Sequence, residues 1–326
     1  MFWRRKKAAA APPQIGCFGK LPATGDFIRY NAGGDELAAF DRWLGGAIDF
    51  SRRALGGSFD QAYQPSVGLF IFHGDGAKDD EPPTRGMVGA WAASGDNAGR
   101  LYPMVVFASY DYGQLVSAGA ALPIALWSLL ASSYELVTGG RNLPVDAFVD
   151  RVSRIVPPSI EDADAAGAGY RSWLTTQTMK ALWETGFGTD GSRFWALHNV
   201  YASIEPFVGH EHPKTGLCMR LPLGAGDAYA AAVWMDMTLR LARWKNTLLN
   251  AFWVPQQTML LHFGPPHVAT FRELIAPTGA ADHVVELCRP PTEDEPTSRR
   301  GLGPQLDALV ARSDLSIASF LEGLSP

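Results

Sequence analysis

Twelve consecutive residues, Gly16-Cys17-Phe18-Gly19-Lys20-Leu21-Pro22-Ala23-Thr24-Gly25-Asp26-Phe27, constrain the backbone more tightly than any other stretch of the chain. Ile15, Cys17 and Phe18 predict a short buried strand. The Gly-Lys-Leu-Pro that follows must turn sharply, because Pro22 fixes its own φ and pushes Leu21 into an extended conformation. Thr24-Gly25-Asp26 predicts a second turn, with Gly25 able to take a positive φ and Asp26 able to hydrogen-bond nearby amides.

Downstream, apolar spacing sets the element pattern. Gly33-Gly34-Asp35 stops the chain and offers Asp35 as an N-cap. Leu37, Phe40, Leu44, Ile48 and Leu55 then recur at helical spacing up to Gly56-Gly57. Val67–His73, Met87–Ala92 and Pro103–Tyr110 are nearly continuous apolar runs, which suits strands covered on both faces. Helices are expected over Ala118–Val137 and Leu143–Val156, the second started by Pro144 and stopped by Pro157-Pro158. Residues 157–192 read as loop-rich, with a short helix near Trp173 to Glu184. Beyond Arg193, strands are expected at Phe194–Tyr201, Gly216–Leu221, Ala251–Val254, Thr258–Phe263 and, at an edge, Val284–Cys288. A long helix should begin near Asp227 and another lie within His267–Ile275. Strand–helix–strand alternation of this kind points to an α/β layered architecture.

The opening phrase resembles the amino-terminal region of the TagF (ImpM) family, proteins associated with type VI secretion. Gly16, Gly19, Lys20, Leu21, Pro22, Gly25, Asp26 and Phe27 carry the match. Phe40-Asp41-Arg42-Trp43-Leu44 with Ser51-Arg52 is similar to the family's following helix. Gly99-Arg100-Leu101-Tyr102-Pro103-Met104 is similar to its step into a buried strand. The resemblance spans residues 14 to about 140 and implies a three-layer α/β/α sandwich in the N-terminal domain; the strand and helix pattern beyond Arg193 predicts a further α/β C-terminal region. The expected organisation is a flexible basic, Ala- and Pro-rich tail over 1–13, the TagF-like domain over 14–157, the C-terminal region over 158–289, and a Pro-rich linker with short terminal helices over 290–326.

Composition narrows the function classes. Hydrophobic content of 47% and charged content of 19% are globular values. A formal net charge of −5, with Arg4-Arg5-Lys6-Lys7 as the basic run, argues against a general nucleic-acid binder. The basic start lacks the apolar core of a signal peptide, and no window reaches the ~18 apolar residues of a membrane span. The expectation is a cytoplasmic protein without stable membrane insertion. The three cysteines, Cys17, Cys218 and Cys288, fit buried thiols in a reducing compartment better than a disulfide framework.

Catalytic signatures fail one by one. Gly19-Lys20 lacks the spacing and the hydroxyl of a phosphate loop. Ser58 follows two glycines without an evident base. Cys17 beside Lys20 reads as a core residue. Asp111 and Glu135 have no carboxylate partner. His210-Glu211-His212 with Cys218 is the best metal candidate, but a lone His-x-His in a Pro/Gly loop is better read as surface histidines. His73, His198, His262 and His283 lie in or beside apolar runs. No enzyme, cofactor or metal is expected.

The resemblance implies instead a post-translational repressor of secretion-system assembly. It would bind a forkhead-associated scaffold protein, in a pathway with a Ser/Thr kinase and a phosphatase. The candidate interaction residues are Gly19, Lys20, Pro22, Gly25, Asp26, Phe27, Arg42, Trp43, Arg100 and Pro103. Arg42, Trp43, Arg52 and Arg53 form either a mixed Arg/Trp interface or an ordinary surface stripe. Lys20, Asp26 and Arg100 are the leading charged candidates; their structural alternative is an ion pair of Asp26 with Lys20 or Arg100 that locks the loop. The other functional reading is a small anionic ligand or phosphopeptide binder, or an enzyme, using the Gly16–Phe27 loop with Lys20 and backbone amides as the anion site.

Overall fold

A computed structural model describes residues 12–74, 83–160, 163–224, 227–279, 281–289 and 295–324. The expected basic tail before residue 12, most of the acidic loop after Gly74, Glu161 and Asp162, and the linker start at 290–294 lie outside the described residues.

Among the described residues nine strands form one mixed sheet. They are β1 (Gln14–Gly19), β2 (Ile28–Tyr30), β3 (Val67–His73), β4 (Arg85–Ala92), β5 (Met104–Asp111), β6 (Cys218–Pro222), β7 (Asn250–Val254), β8 (Thr258–His262) and β9 (Val284–Glu286). Their order across the sheet is β2-β1-β5-β4-β3-β7-β8-β6-β9. All neighbours are antiparallel except β6 and β9, which run parallel. The strands of the first half meet those of the second at β3 and β7, in the register Leu69↔Trp253, Phe70↔Phe252 and Ile71↔Ala251.

Both sheet faces are covered, which explains the continuous apolar runs. Along β3, Leu69 and Ile71 enter one core while Phe70 and Phe72 enter the other. The second, aromatic core lies beneath the helix Asp35–Leu55 (here α1) and the short helix Thr270–Ile275. On α1, Leu37, Phe40, Leu44 and Ile48 are buried. The remaining large helices, including Trp127–Gly139, Arg193–Ile204 and Asp227–Ala242, cover the opposite face. This is the three-layer α/β/α arrangement.

Several local expectations are corrected. Residues 193–204 are a helix, not a strand: Phe194, Leu197, Val200 and Ile204 are buried at helical spacing. Helices Ala163–Thr176 and Met179–Phe187 replace most of the expected loop over 157–192. The Ala118–Val137 helix is broken into shorter pieces, with Leu126 at φ −104° before Trp127. Residues 295–311, taken for a linker and a terminal helix, are helical throughout apart from a kink at Gly303, whose φ is 71°. Gly34 rather than Asp35 is the N-cap of α1, and Asp35 contributes its charge from the first turn instead. Strand β2 was not anticipated; three residues are too few to show a period.

Buried polar groups tie the seams. Asn250, fully buried, accepts from the His73 backbone N–H at 2.7 Å and donates to the Gly264 carbonyl at 3.1 Å. Arg220 on β6 bonds Glu273 of the helix Thr270–Ile275 at 2.7 Å and lies 3.0 Å from Glu286 on β9. Buried charges persist only when paired in this way.

Two buried histidines make the fold acid-sensitive. Burial pushes His73 down to about 4 and His262 down to about 3, from an ordinary 6.5. Both are neutral in the fold, whereas the unfolded chain takes up their protons below about 6.5. Their stabilising contribution is therefore complete above that pH and falls as pH drops towards 4. Between these limits the expected loss is about 3 kcal/mol per pH unit for the two groups together. Urea unfolding across this window should show it, with a slope roughly halved in His262→Gln.

Candidate functional site

The Gly16–Phe27 motif occupies one corner of the sheet. Strand β1 ends at Gly19, where φ is 141° and an added Cβ would lie 2.1 Å from the Pro103 carbonyl oxygen. Only glycine allows β1 to approach the start of β5 this closely, which gives both Gly19 and Pro103 a structural role. The Thr24 N–H donates to the Leu21 carbonyl at 3.2 Å, closing a turn with exposed Pro22 at its second position. Gly25 has no positive φ; that conformation belongs to Gly19. Asp26 is exposed, and its backbone N–H donates to the Thr24 hydroxyl at 3.3 Å.

The ion pair that locks this loop does not use Asp26. Lys20 is 5% exposed, and its ammonium hydrogen-bonds the carboxylate of Asp96, a residue not anticipated from sequence. The same Oδ2 accepts from Arg100 Nε at 2.7 Å. Oδ1 accepts from the backbone amides of Ala98 at 3.0 Å and Arg100 at 2.9 Å. Arg100 also donates through its terminal nitrogen to the Gly25 carbonyl. The Asn97 N–H donates to the Thr24 carbonyl at 3.1 Å. Asp96 thus joins the motif loop to the turn before β5. These charge-assisted bonds, led by that from Lys20, hold its carboxyl well below the usual range. A signal for Asp96 existed: Asp96-Asn97-Ala98-Gly99 is a turn signature directly after a buried strand.

Above this hub lies an aromatic group. Phe27 stacks on Phe18 with centroids 5.3 Å apart and meets Tyr102 edge-on at 4.9 Å. The Lys20 ammonium lies 4.6 Å from its ring centre. Phe27 nevertheless stays 42% exposed. Tyr102 is buried and donates to Asp41 of α1 at 2.5 Å. Exposed arginines surround the group. Arg29 lies over Phe18 at 4.7 Å, Arg52 reaches the Leu101 carbonyl at 3.4 Å, and the Arg100 side chain is 63% exposed.

The other candidates separate. Arg42 and Arg53 are exposed on α1. Trp43 turns inward, packs 4.7 Å from Phe252, and donates to the His267 carbonyl at 3.2 Å, so it belongs to a seam rather than to an Arg/Trp face. The Cys17 thiol is buried and pushed up to about 12, which removes it as a nucleophile. Ser58 is exposed just beyond the end of α1. Asp111 caps a helix by accepting from the Gln114 N–H at 3.3 Å. Cys218 is buried on β6 while His210 and His212 are exposed. Among the described residues no group of three or more His, Cys, Asp or Glu side chains is placed to hold a metal ion. With Lys20 committed to Asp96, the motif loop offers no uncompensated ammonium to an anion.

Compared with known proteins, residues 16–155 match the family model described as the TagF N-terminal domain, type VI secretion system-associated. This segment is a TagF N-terminal domain. Among solved structures the chain matches PA0076 from Pseudomonas aeruginosa PAO1, known from a crystal structure at 2.05 Å resolution. The likeness has 16% identity and a TM-score of 0.47, over 82% of this chain and 96% of that one. Among curated proteins none matches. The matched TagF segment begins within β1 and contains β2 to β5, α1 and the whole Asp96 hub. Among the described residues no single helix is long and apolar enough to cross a membrane.

Two substitutions test the site's construction. Gly19→Ala should destabilise the fold by about 3 kcal/mol in urea unfolding, since the new Cβ meets backbone. Asp96→Asn leaves the buried Lys20 ammonium without its counter-charge and should lower the melting temperature by several degrees. Asp26→Ala should leave it nearly unchanged; a drop in Asp26→Ala with none in Asp96→Asn would assign the lock to Asp26 instead.

Proposed function

We propose that this type VI secretion-associated chain is a non-enzymatic, cytoplasmic repressor of secretion-system assembly. It acts after translation by binding a forkhead-associated scaffold protein, in a pathway that includes a Ser/Thr kinase and a phosphatase. The reading rests on the TagF domain and on what the family resemblance implies.

One observation supports the choice of surface: Phe27 is packed from beneath by Phe18, Tyr102 and Lys20, and still exposes 42% of its surface. An aromatic packed in this way, with arginines at its rim, has the composition of an interface hot spot, because little side-chain entropy remains to be lost on binding. Lys20, Gly19 and Pro103 act beneath this surface by fixing its shape. Phe27, Arg29, Arg52 and Arg100 supply the contact.

Binding of the purified full chain to the purified scaffold protein, by calorimetry, tests the proposal. Phe27→Ala should weaken binding about tenfold or more without lowering the melting temperature by more than a degree or two. Arg42→Ala, an exposed substitution on α1, should have little effect. Wild-type affinity in Phe27→Ala would remove the loop as the contact surface. Absence of any binding by the wild type would remove the scaffold as the partner.

A further inference from the structure

Three of the chain's seven histidines line one cleft, at sequence positions well apart from the motif loop and from one another. The cleft has a volume of about 680 Å³ and opens where the end of β3, the start of β7 and the end of β8 come together. His73, His212 and His267 line it. His283 packs against His267 with ring centroids 4.6 Å apart. No sequence period brings these residues together; only the joined sheet does.

The polar wall of the cleft favours an anion. Glu211 is its acid among the described lining residues, and Glu211 Oε1 is already held by the backbone amides of Lys245 at 2.7 Å and Asn246 at 3.2 Å. On the floor, Thr247 is 7% exposed, and its hydroxyl has no hydrogen-bond partner among the described residues. His212 and His267 are exposed at the rim, where each can donate an N–H. The opposite wall is apolar, built from Leu248, Phe263, Val268 and prolines. Lys214 also lines the cleft, but no arginine does among the described residues, so a phosphate would find a point charge without the bidentate fork that holds it best. A planar carboxylate on an apolar body suits imidazole and hydroxyl donors facing a greasy wall, at a volume ordinary for small-molecule sites.

We propose that this cleft binds a small organic carboxylate, its head against His212, His267 and Thr247 and its body against Leu248 and Phe263. The site is independent of the partner surface at Phe27.

Saturation-transfer NMR and calorimetry on the full chain test it, with benzoate as the probe and benzyl alcohol as its neutral counterpart. Benzoate should bind saturably, and benzyl alcohol about tenfold more weakly, since it lacks the charge that strengthens these hydrogen bonds. His212→Asn preserves the left-handed backbone at that position, where φ is 59°. Combined with His267→Gln it should weaken benzoate about tenfold. If the double variant melts early, the wild-type comparison of benzoate with benzyl alcohol still decides. Absence of saturable benzoate binding, equal binding of the alcohol, or unchanged affinity in a folded double variant each overturns the proposal.

Discussion

A buried carboxylate must find partners, and Asp96 finds them in a way that shapes one corner of the molecule. Its two oxygens gather Lys20, the Arg100 side chain and two backbone amides, so the motif loop and the turn before β5 cannot move independently. Desolvating an ammonium and a carboxylate is costly, and only this density of hydrogen bonds offsets it. The exposed position of Phe27 depends on that arrangement, since the ring rests on Lys20 and on the strand that Lys20 follows. A second buried cluster, Arg220 with Glu273 and Glu286, fixes the helix Thr270–Ile275 over the other end of the same sheet face.

Much of the first half was legible in the sequence. Strands β3, β4 and β5 announced themselves as apolar runs, and α1 by its spacing, because periodicity and burial coincide there. The glycines of the motif were recognisable as constraints, although positive φ was assigned to Gly25 instead of Gly19. What could not be read was the pairing of charges. Asp96 lies 76 positions from Lys20, and no local rule prefers it over Asp26, which is nearer in sequence. Ion pairs between loops follow from sheet register, and register is a property of the assembled fold.

The second half was harder for a different reason. Residues 193–204 are rich in aromatic and β-branched side chains, so composition suggested a strand while the buried set kept helical spacing. Packing against the sheet overrode local preference there. The histidine cleft was invisible for a related reason: His73, His212 and His267 are brought together only when β7 docks on β3.

The junction between β3 and β7 also bears on how the molecule can be divided. Its register spans three residue pairs, in which β3 presents Leu69-Phe70-Ile71 to that neighbour. A chain ending near residue 157 would keep every strand of the TagF segment but leave β3 as an open edge, apolar on both faces. Such an edge is a template for pairing with another copy. In the intact chain β7 covers it, so the second half of the molecule protects the first from self-association, whatever else it binds.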